Sequence, residues 1–173
     1  NYGSKNDIEA VKNYVENHLS AHKLMGENAA KRMSSYGTSD LDKAVQRFNA
    51  AHESAISFLI PDGEISRARA SLLFIESYRE LPLLAWPRKL IDAIVELEES
   101  MVKWRHSHAR MVERIMGRRI GTGGTSGVDY LDKTSQYRVF KDLWAVRTIL
   151  VKSDQRPVLV NPHFYGFSSE KEV

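Results

Sequence analysis

The fold is decided by one long stretch, residues 87–117, which reads PRKLIDAIVELEESMVKWRHSHARMVERIMG. Its apolar residues recur in alternating steps of four and three, the spacing of one face of an α-helix. Pro87 suits the first turn of such a helix, and Gly117 ends the pattern. The stretch therefore predicts a long helix with one continuous buried stripe. This stripe consists of Leu90, Ile94, Leu97, Met101, Trp104, His108, Met111 and Ile115.

One member of the stripe, His108, is polar. An imidazole on an apolar face loses hydration unless one of its nitrogens finds a partner. The residues alone leave two interpretations open: a core histidine hydrogen-bonded to a carbonyl or carboxylate, or an axial ligand of haem iron in an apolar slot. In the second case, Arg105 and Arg110 could pair with the haem propionates. His106 lies about 200° away around the helix and is predicted to face outward.

The rest of the chain is also mostly helical in pattern, without alternation of strands and helices. The sequence therefore predicts an all-α helical bundle, and its 173 residues suggest a single domain spanning 1–173. Residues 154–167 are expected to be extended, and residues 168–173 to form a disordered tail. The further helices are predicted at 5–33, 41–60, 65–80, 129–134 and 139–150.

Composition excludes several classes of protein. The excess of 25 Lys and Arg over 22 Asp and Glu is too small to indicate nucleic-acid binding. No apolar run approaches the roughly 20 residues that a membrane-spanning helix needs. The absence of cysteine excludes disulfides, thiolate zinc sites and iron–sulfur clusters, and it permits a cytoplasmic location.

Two further motifs are ambiguous. The loop GTGGTSG, residues 121–127, matches neither the P-loop nor the dinucleotide-binding pattern. It reads either as a glycine-rich linker or as a tight loop that offers N–H groups and hydroxyls to a carboxylate. His18 and His22 lie four residues apart and so share a helix face. Because no third metal ligand is evident, they are predicted to be a surface pair.

Taken together, residues 103–134 and 137–150 resemble the C-terminal half of the tryptophan 2,3-dioxygenase family, and the likeness extends over about 66–150. That family has the pattern WRxxH, a glycine, then GTGG[ST]xGxxYL, and later Phe-x-x-Leu before Arg-Thr. The matching positions here are Trp104, Arg105, His108, Gly117, Gly121, Thr122, Gly123, Gly124, Thr125, Gly127, Tyr130, Leu131, Phe140, Leu143, Arg147 and Thr148.

The resemblance implies a haem b cofactor whose iron takes His108 as its axial ligand, on a long helix followed by the glycine-rich loop. It implies that Trp104, Arg105 and Tyr130 lie near the haem. It also implies that the loop binds the amino-acid substrate. The substrate-binding residues would be Thr122, Gly123, Gly124 and Thr125. The family's distal residues have no counterpart in residues 1–60, so no catalytic side chain is assigned in this chain.

By the same resemblance, the chain is expected to be the C-terminal part of a longer cytoplasmic enzyme that forms a homo-oligomer, such as a tetramer; a divergent, shortened member of the family is the alternative. Its partners would be an aromatic amino acid and dioxygen. The expected reaction is oxidative cleavage of the tryptophan indole C2–C3 bond to N-formylkynurenine. Two alternatives stay open: a haem-dependent monooxygenase acting on tyrosine or an indole, and a non-catalytic haem-binding or structural helical subunit.

Overall fold

A computed structural model describes residues 5–35, 41–119, 127–160 and 162–166. The secondary structure in these ranges is helical and contains no strand, which confirms the all-α prediction. None of the helices described there is long and apolar enough to span a membrane.

The described residues contain α-helices at all the predicted places, with ends that differ from the predicted ends by about three residues at most. The differences fall at helix ends, which fray. The helices are α1 (Lys5–Ser35), α2 (Leu41–Leu59), α3 (Arg67–Ser77), α4 (Ala85–Met116), α5 (Gly127–Ser135) and α6 (Lys141–Thr148).

Local capping explains where several helices begin and end. The Ser66 hydroxyl accepts a hydrogen bond from the Arg69 backbone N–H at 3.5 Å, so Ser66 caps α3. After α4, Gly117 takes φ +66°, and its N–H donates to the Glu113 carbonyl at 2.8 Å. Glycine adopts this left-handed conformation without steric cost, which is why the long helix ends there.

The chain forms two compact units, one made of residues 1–88 and 142–173 and the other of residues 89–141. The first unit holds the main hydrophobic core, to which α1, α2, α3 and α6 all contribute. Burial of these apolar side chains is the principal force that holds the helices together. The core residues are Val15, Ala55, Leu59, Ala70, Leu73, Val146 and Ile149.

The segment after α6 is less extended than the sequence predicts. Short 3-10 turns occupy Ser153–Gln155 and Pro162–Tyr165. The residues between them are held against the end of α3: the Tyr78 hydroxyl donates to the Pro157 carbonyl, and the Arg156 guanidinium lies 4.9 Å from the centroid of the Tyr78 ring. The segment is therefore fixed by specific polar and cation–π contacts rather than by a ladder of backbone bonds. The predicted tail, residues 168–173, lies outside the described residues.

In the second unit, the predicted burial of the α4 stripe is wrong. Leu97, Trp104 and Ile115 are 54%, 66% and 75% exposed, and His108 is only half-buried. The buried face is instead the one that starts one residue later, about 100° around the helix. That face includes Ile91, Val95, Glu98 and Ala109.

Candidate functional site

The exposed face of α4 carries an imidazole among apolar side chains. The His108 ring stacks on the Trp104 indole, with centroids 5.3 Å apart and planes inclined by 24°. These residues are four apart, so a helix places one directly above the other. Stacking restricts the rotation of the imidazole and holds it against the helix surface.

The apolar surroundings of His108 are extensive. Leu97 and Ile115 lie on the same face of α4, and Met111 is 52% exposed one turn beyond the imidazole. A contiguous exposed apolar surface of this kind marks a place where a ligand or another protein surface binds. The face can thus cover a large flat apolar group, and His108 supplies one nitrogen donor in its middle.

Arg105, three residues before His108 on α4, is held by backbone carbonyls. Its guanidinium donates to the backbone carbonyls of Thr134 at 3.5 Å and of Tyr137 at 3.0 Å. It thereby ties α4 to the carboxyl end of α5, where carbonyls lack helical partners.

The two ends of the glycine-rich loop are joined by charged side chains. Arg110 on α4 pairs with both Glu113 and Asp132, and Arg118 pairs with Glu113 at 2.8 Å and Asp129 at 3.2 Å. The hydrogen bond from Arg110 is the main reason that the pKa of the Asp132 carboxyl lies below its ordinary value. The network connects residues on α4 and α5 that are 22 positions apart in sequence.

The remaining predicted site residues are only partly described. Tyr130 lies on α5 with 63% of its surface exposed. The predicted substrate residues lie in the part of the glycine loop outside the described residues. They are Thr122, Gly123, Gly124 and Thr125.

Glu98 is a buried carboxylate that the helical spacing of the sequence does not reveal. It is 1% exposed, and its Oε1 accepts hydrogen bonds from the backbone N–H groups of Val139 and Phe140, the second at 2.9 Å. Its other oxygen lies 3.8 Å from the Arg138 guanidinium. The carboxylate therefore fixes Val139 and Phe140 to the helix that carries His108. The apolar residues Ile91 and Val95 in the same register were the signal for this face.

The prediction that His18 and His22 form a surface pair is wrong. His18 is fully buried, and its Nε2–H donates to the Ile149 carbonyl at 2.8 Å. His22 is 5% exposed and stacks on His52 of α2, with ring centroids 5.6 Å apart. The expectation failed because the partner groups come from elements distant in sequence, which no local spacing reveals.

Burial also changes how these histidines titrate. The pKa of His18 is lowered, chiefly because burial penalises the charged imidazolium, although the hydrogen bond to Ile149 opposes this effect. The pKa of His22 is lowered by burial and, to a lesser extent, by the neighbouring His52. Both imidazoles are therefore biased toward the neutral form.

Comparison with known proteins places this arrangement in a family. The family model for tryptophan 2,3-dioxygenase matches residues 6–150. A tryptophan 2,3-dioxygenase-like protein of Xanthomonas campestris pv. campestris is 42% identical over 171 residues, which cover 92% of this chain and 63% of the relative.

Other relatives carry the enzyme's name. Tryptophan 2,3-dioxygenase 2 of Ralstonia nicotianae is 42% identical over 97% of this chain and 49% of its own length. Tryptophan 2,3-dioxygenase of Sorangium cellulosum is 48% identical over 76% of this chain and 34% of its own length. The chain thus spans 63% of the length of the Xanthomonas relative and 49% of the length of the Ralstonia relative. The match over most of its length shows that the chain belongs to the tryptophan 2,3-dioxygenase family.

Proposed function

We propose that this chain is the haem-ligating part of an oxygenase that cleaves the indole ring of tryptophan. The observation that carries the proposal is the imidazole of His108, stacked on Trp104 in the middle of an exposed apolar helix face. Family membership supports the same reaction, since the relatives from Ralstonia and Sorangium are named tryptophan 2,3-dioxygenases.

The described side chains fit a haem group. A porphyrin needs a broad apolar surface and one axial nitrogen donor, and the α4 face offers both. Trp104 and Met111 lie about one turn on either side of His108 along this face and are exposed, so a planar macrocycle would remove apolar surface from water. A haem bound there would supply the dioxygen chemistry of the reaction.

The protein's own part is to position the cofactor and the substrate. We propose that His108 ligates the iron and that Trp104 holds its ring in orientation. Arg105, which already fixes the end of α5, and Tyr130 on α5 would border the haem rather than contact iron. Glu98 would keep Phe140 in place against the same helix.

The glycine-rich loop is proposed to bind the amino-acid substrate. Thr122 would bind its head group, and Gly123, Gly124 and Thr125 would form the adjoining backbone. If so, Thr122→Ala raises KM for the amino acid and leaves the haem absorption spectrum nearly unchanged. Equal loss of haem would contradict a role in substrate binding alone.

The test of the whole proposal is turnover by the full protein that contains this chain, reconstituted with haem. Incubation with tryptophan and ¹⁸O₂ is expected to give N-formylkynurenine with both labelled atoms, read by mass spectrometry. Gain of a single labelled atom would identify a monooxygenase instead. A haem spectrum without turnover of any aromatic amino acid would identify a binding subunit, and absence of both would refute the proposal.

A further inference from the structure

A cavity of about 440 Å³ lies between α1 and α2, within the first unit of the fold. Pockets of about 300–1,000 Å³ hold small organic molecules. Most of the lining is apolar, and Phe48 forms one wall. Lys23, Lys31 and the imidazoles of His22 and His52 also border the cavity. An apolar interior is thus combined with several nitrogen donors.

The two imidazoles are joined to each other by one hydrogen bond. It runs between their Nδ1 atoms, which are 3.4 Å apart, and the ring planes are inclined by only 21°. A neutral imidazole has one N–H and one acceptor nitrogen. In the neutral pair, one ring therefore donates through Nδ1, and only the other ring carries a proton on Nε2. One added proton gives both rings an Nε2–H and gives the pair a positive charge.

The Nε2 atoms are the nitrogens of this pair that remain for a ligand. In the described part of the chain, neither of them hydrogen-bonds to a protein group. His22 is 5% exposed, so the surrounding helices hold its ring in place, and the half-buried His52 borders the cavity. Imidazoles with this much burial favour a ligand that accepts the hydrogen bonds that the protein does not.

The other charges around the pair favour an anion. Two lysines, Lys23 and Lys31, line the cavity from α1 against one carboxylate, that of Glu27. Among the described lining residues, α2 adds no charge besides its imidazole, and α6 adds only the hydroxyl of Thr148. Burial lowers the pKa of His18, one turn before the pair on α1, so this imidazole stays neutral beside it.

Close packing of the two helices sets the apolar wall. A Cβ atom added at Gly26 would lie 3.3 Å from the Cβ of Phe48, tighter than ordinary van der Waals contact. Gly26 thus lets the backbone of α1 lie directly against Phe48. The side chains of Phe48 and Val45 are half-buried and leave apolar surface in the cavity that a flat hydrocarbon group would cover.

We propose that this cavity binds a small organic carboxylate with a flat apolar body. The body lies against Phe48 and Val45, and the carboxylate accepts hydrogen bonds from the imidazole pair beside the lysines. Burial lowers the pKa of His22, so the pair is mostly neutral before the anion arrives. Because an anion favours the form of the pair with two Nε2–H groups, its binding takes up a proton.

The test is isothermal calorimetry of the whole protein with 2-naphthoate, at pH 7.5 and pH 6, in buffers of different ionisation enthalpy. We expect tighter binding at pH 6 and proton uptake on binding. The uncharged 2-naphthamide has the same rings and should bind at least about tenfold more weakly, as the loss of a charge-assisted hydrogen bond predicts. Equal affinity for 2-naphthamide, or for inorganic phosphate, would overturn the proposal.

Two variants locate the site. His52→Phe keeps an aromatic ring beside His22 but removes its nitrogens, so it should weaken 2-naphthoate binding about tenfold and remove most of the proton uptake. Ala30→Trp fills the cavity from α1 and should also weaken binding, while circular dichroism confirms that the protein stays folded. His163→Phe, at an exposed histidine of the same unit, is the matched control and should bind like the wild type. Wild-type affinity in either folded variant, or no binding by the wild type, would overturn the proposal.

Discussion

Removal of the Glu98 side chain should destabilise the protein strongly. Its Oε1 accepts hydrogen bonds from the backbone N–H groups of Val139 and Phe140, and its other oxygen lies near Arg138. Hydrogen bonds to a charged group contribute about 1.5–3 kcal/mol each. Two such bonds would give about 3–6 kcal/mol.

Exposure of the donors moves the expected value to the lower end of this range. Val139 and Phe140 are 54% and 36% exposed, so water can hydrate their N–H groups once the carboxylate is gone. We therefore expect Glu98→Ala to lower the free energy of unfolding by about 3 kcal/mol. Glu98→Gln should cost less, because it keeps one oxygen that can accept both bonds.

The assay is urea unfolding followed by far-UV circular dichroism, with hydrogen exchange of the Phe140 amide as a local readout. Glu99→Ala is the matched control, since Glu99 is the exposed neighbour and surface changes usually stay within about 0.5 kcal/mol. Similar unfolding free energies for Glu98→Ala and Glu99→Ala, with unchanged exchange at Phe140, would show that the Glu98 carboxylate does not anchor these N–H groups.

Three further predictions concern other parts of the fold. The pKa values of His18 and His22 are lowered in the folded protein. Near and below the ordinary histidine pKa of about 6.5, the unfolded chain therefore binds more protons than the folded chain does. The free energy of unfolding should therefore fall as pH drops below that value, and a flat profile between pH 7 and 5 in the wild type would contradict this. Leu73→Ala removes a fully buried core side chain and should cost about 2–5 kcal/mol in urea unfolding; a loss below 1 kcal/mol would argue against the packing described. Arg110→Ala should return the pKa of Asp132 toward its ordinary value, measured by ¹³C NMR, whereas an unchanged titration would show that the ion pair does not form in solution.

Helical spacing was enough to predict the secondary structure, because apolar residues recur every three or four positions within the helices and residues such as Ser66 and Gly117 mark helix ends. It was not enough to predict which face of α4 is buried. The helix face that begins at Leu90 and the face that begins at Ile91 both carry mostly apolar side chains. Which of the two faces is buried depends on the elements that pack against α4. The sequence therefore placed His108 on an apolar stripe correctly but predicted burial where the structure has an exposed face.

The histidines of α1 show the other limit of local patterns. His18 bonds to Ile149, which is 131 residues away, and His22 meets His52 across a helix pair. Neither partner shares a motif with them, so sequence spacing could suggest only a surface pair. By contrast, the role of Gly117 follows directly from its residue type, because it ends a regular helical period.

The proposal that His108 ligates the haem iron is tested by the absorption and electron paramagnetic resonance spectra of the haem-reconstituted protein. His108→Ala is expected to lose the signature of histidine ligation and most of its haem affinity. His106→Ala, two residues away and exposed, should keep both. A His108→Ala protein with the wild-type spectrum and haem affinity would show that His108 is not the iron ligand.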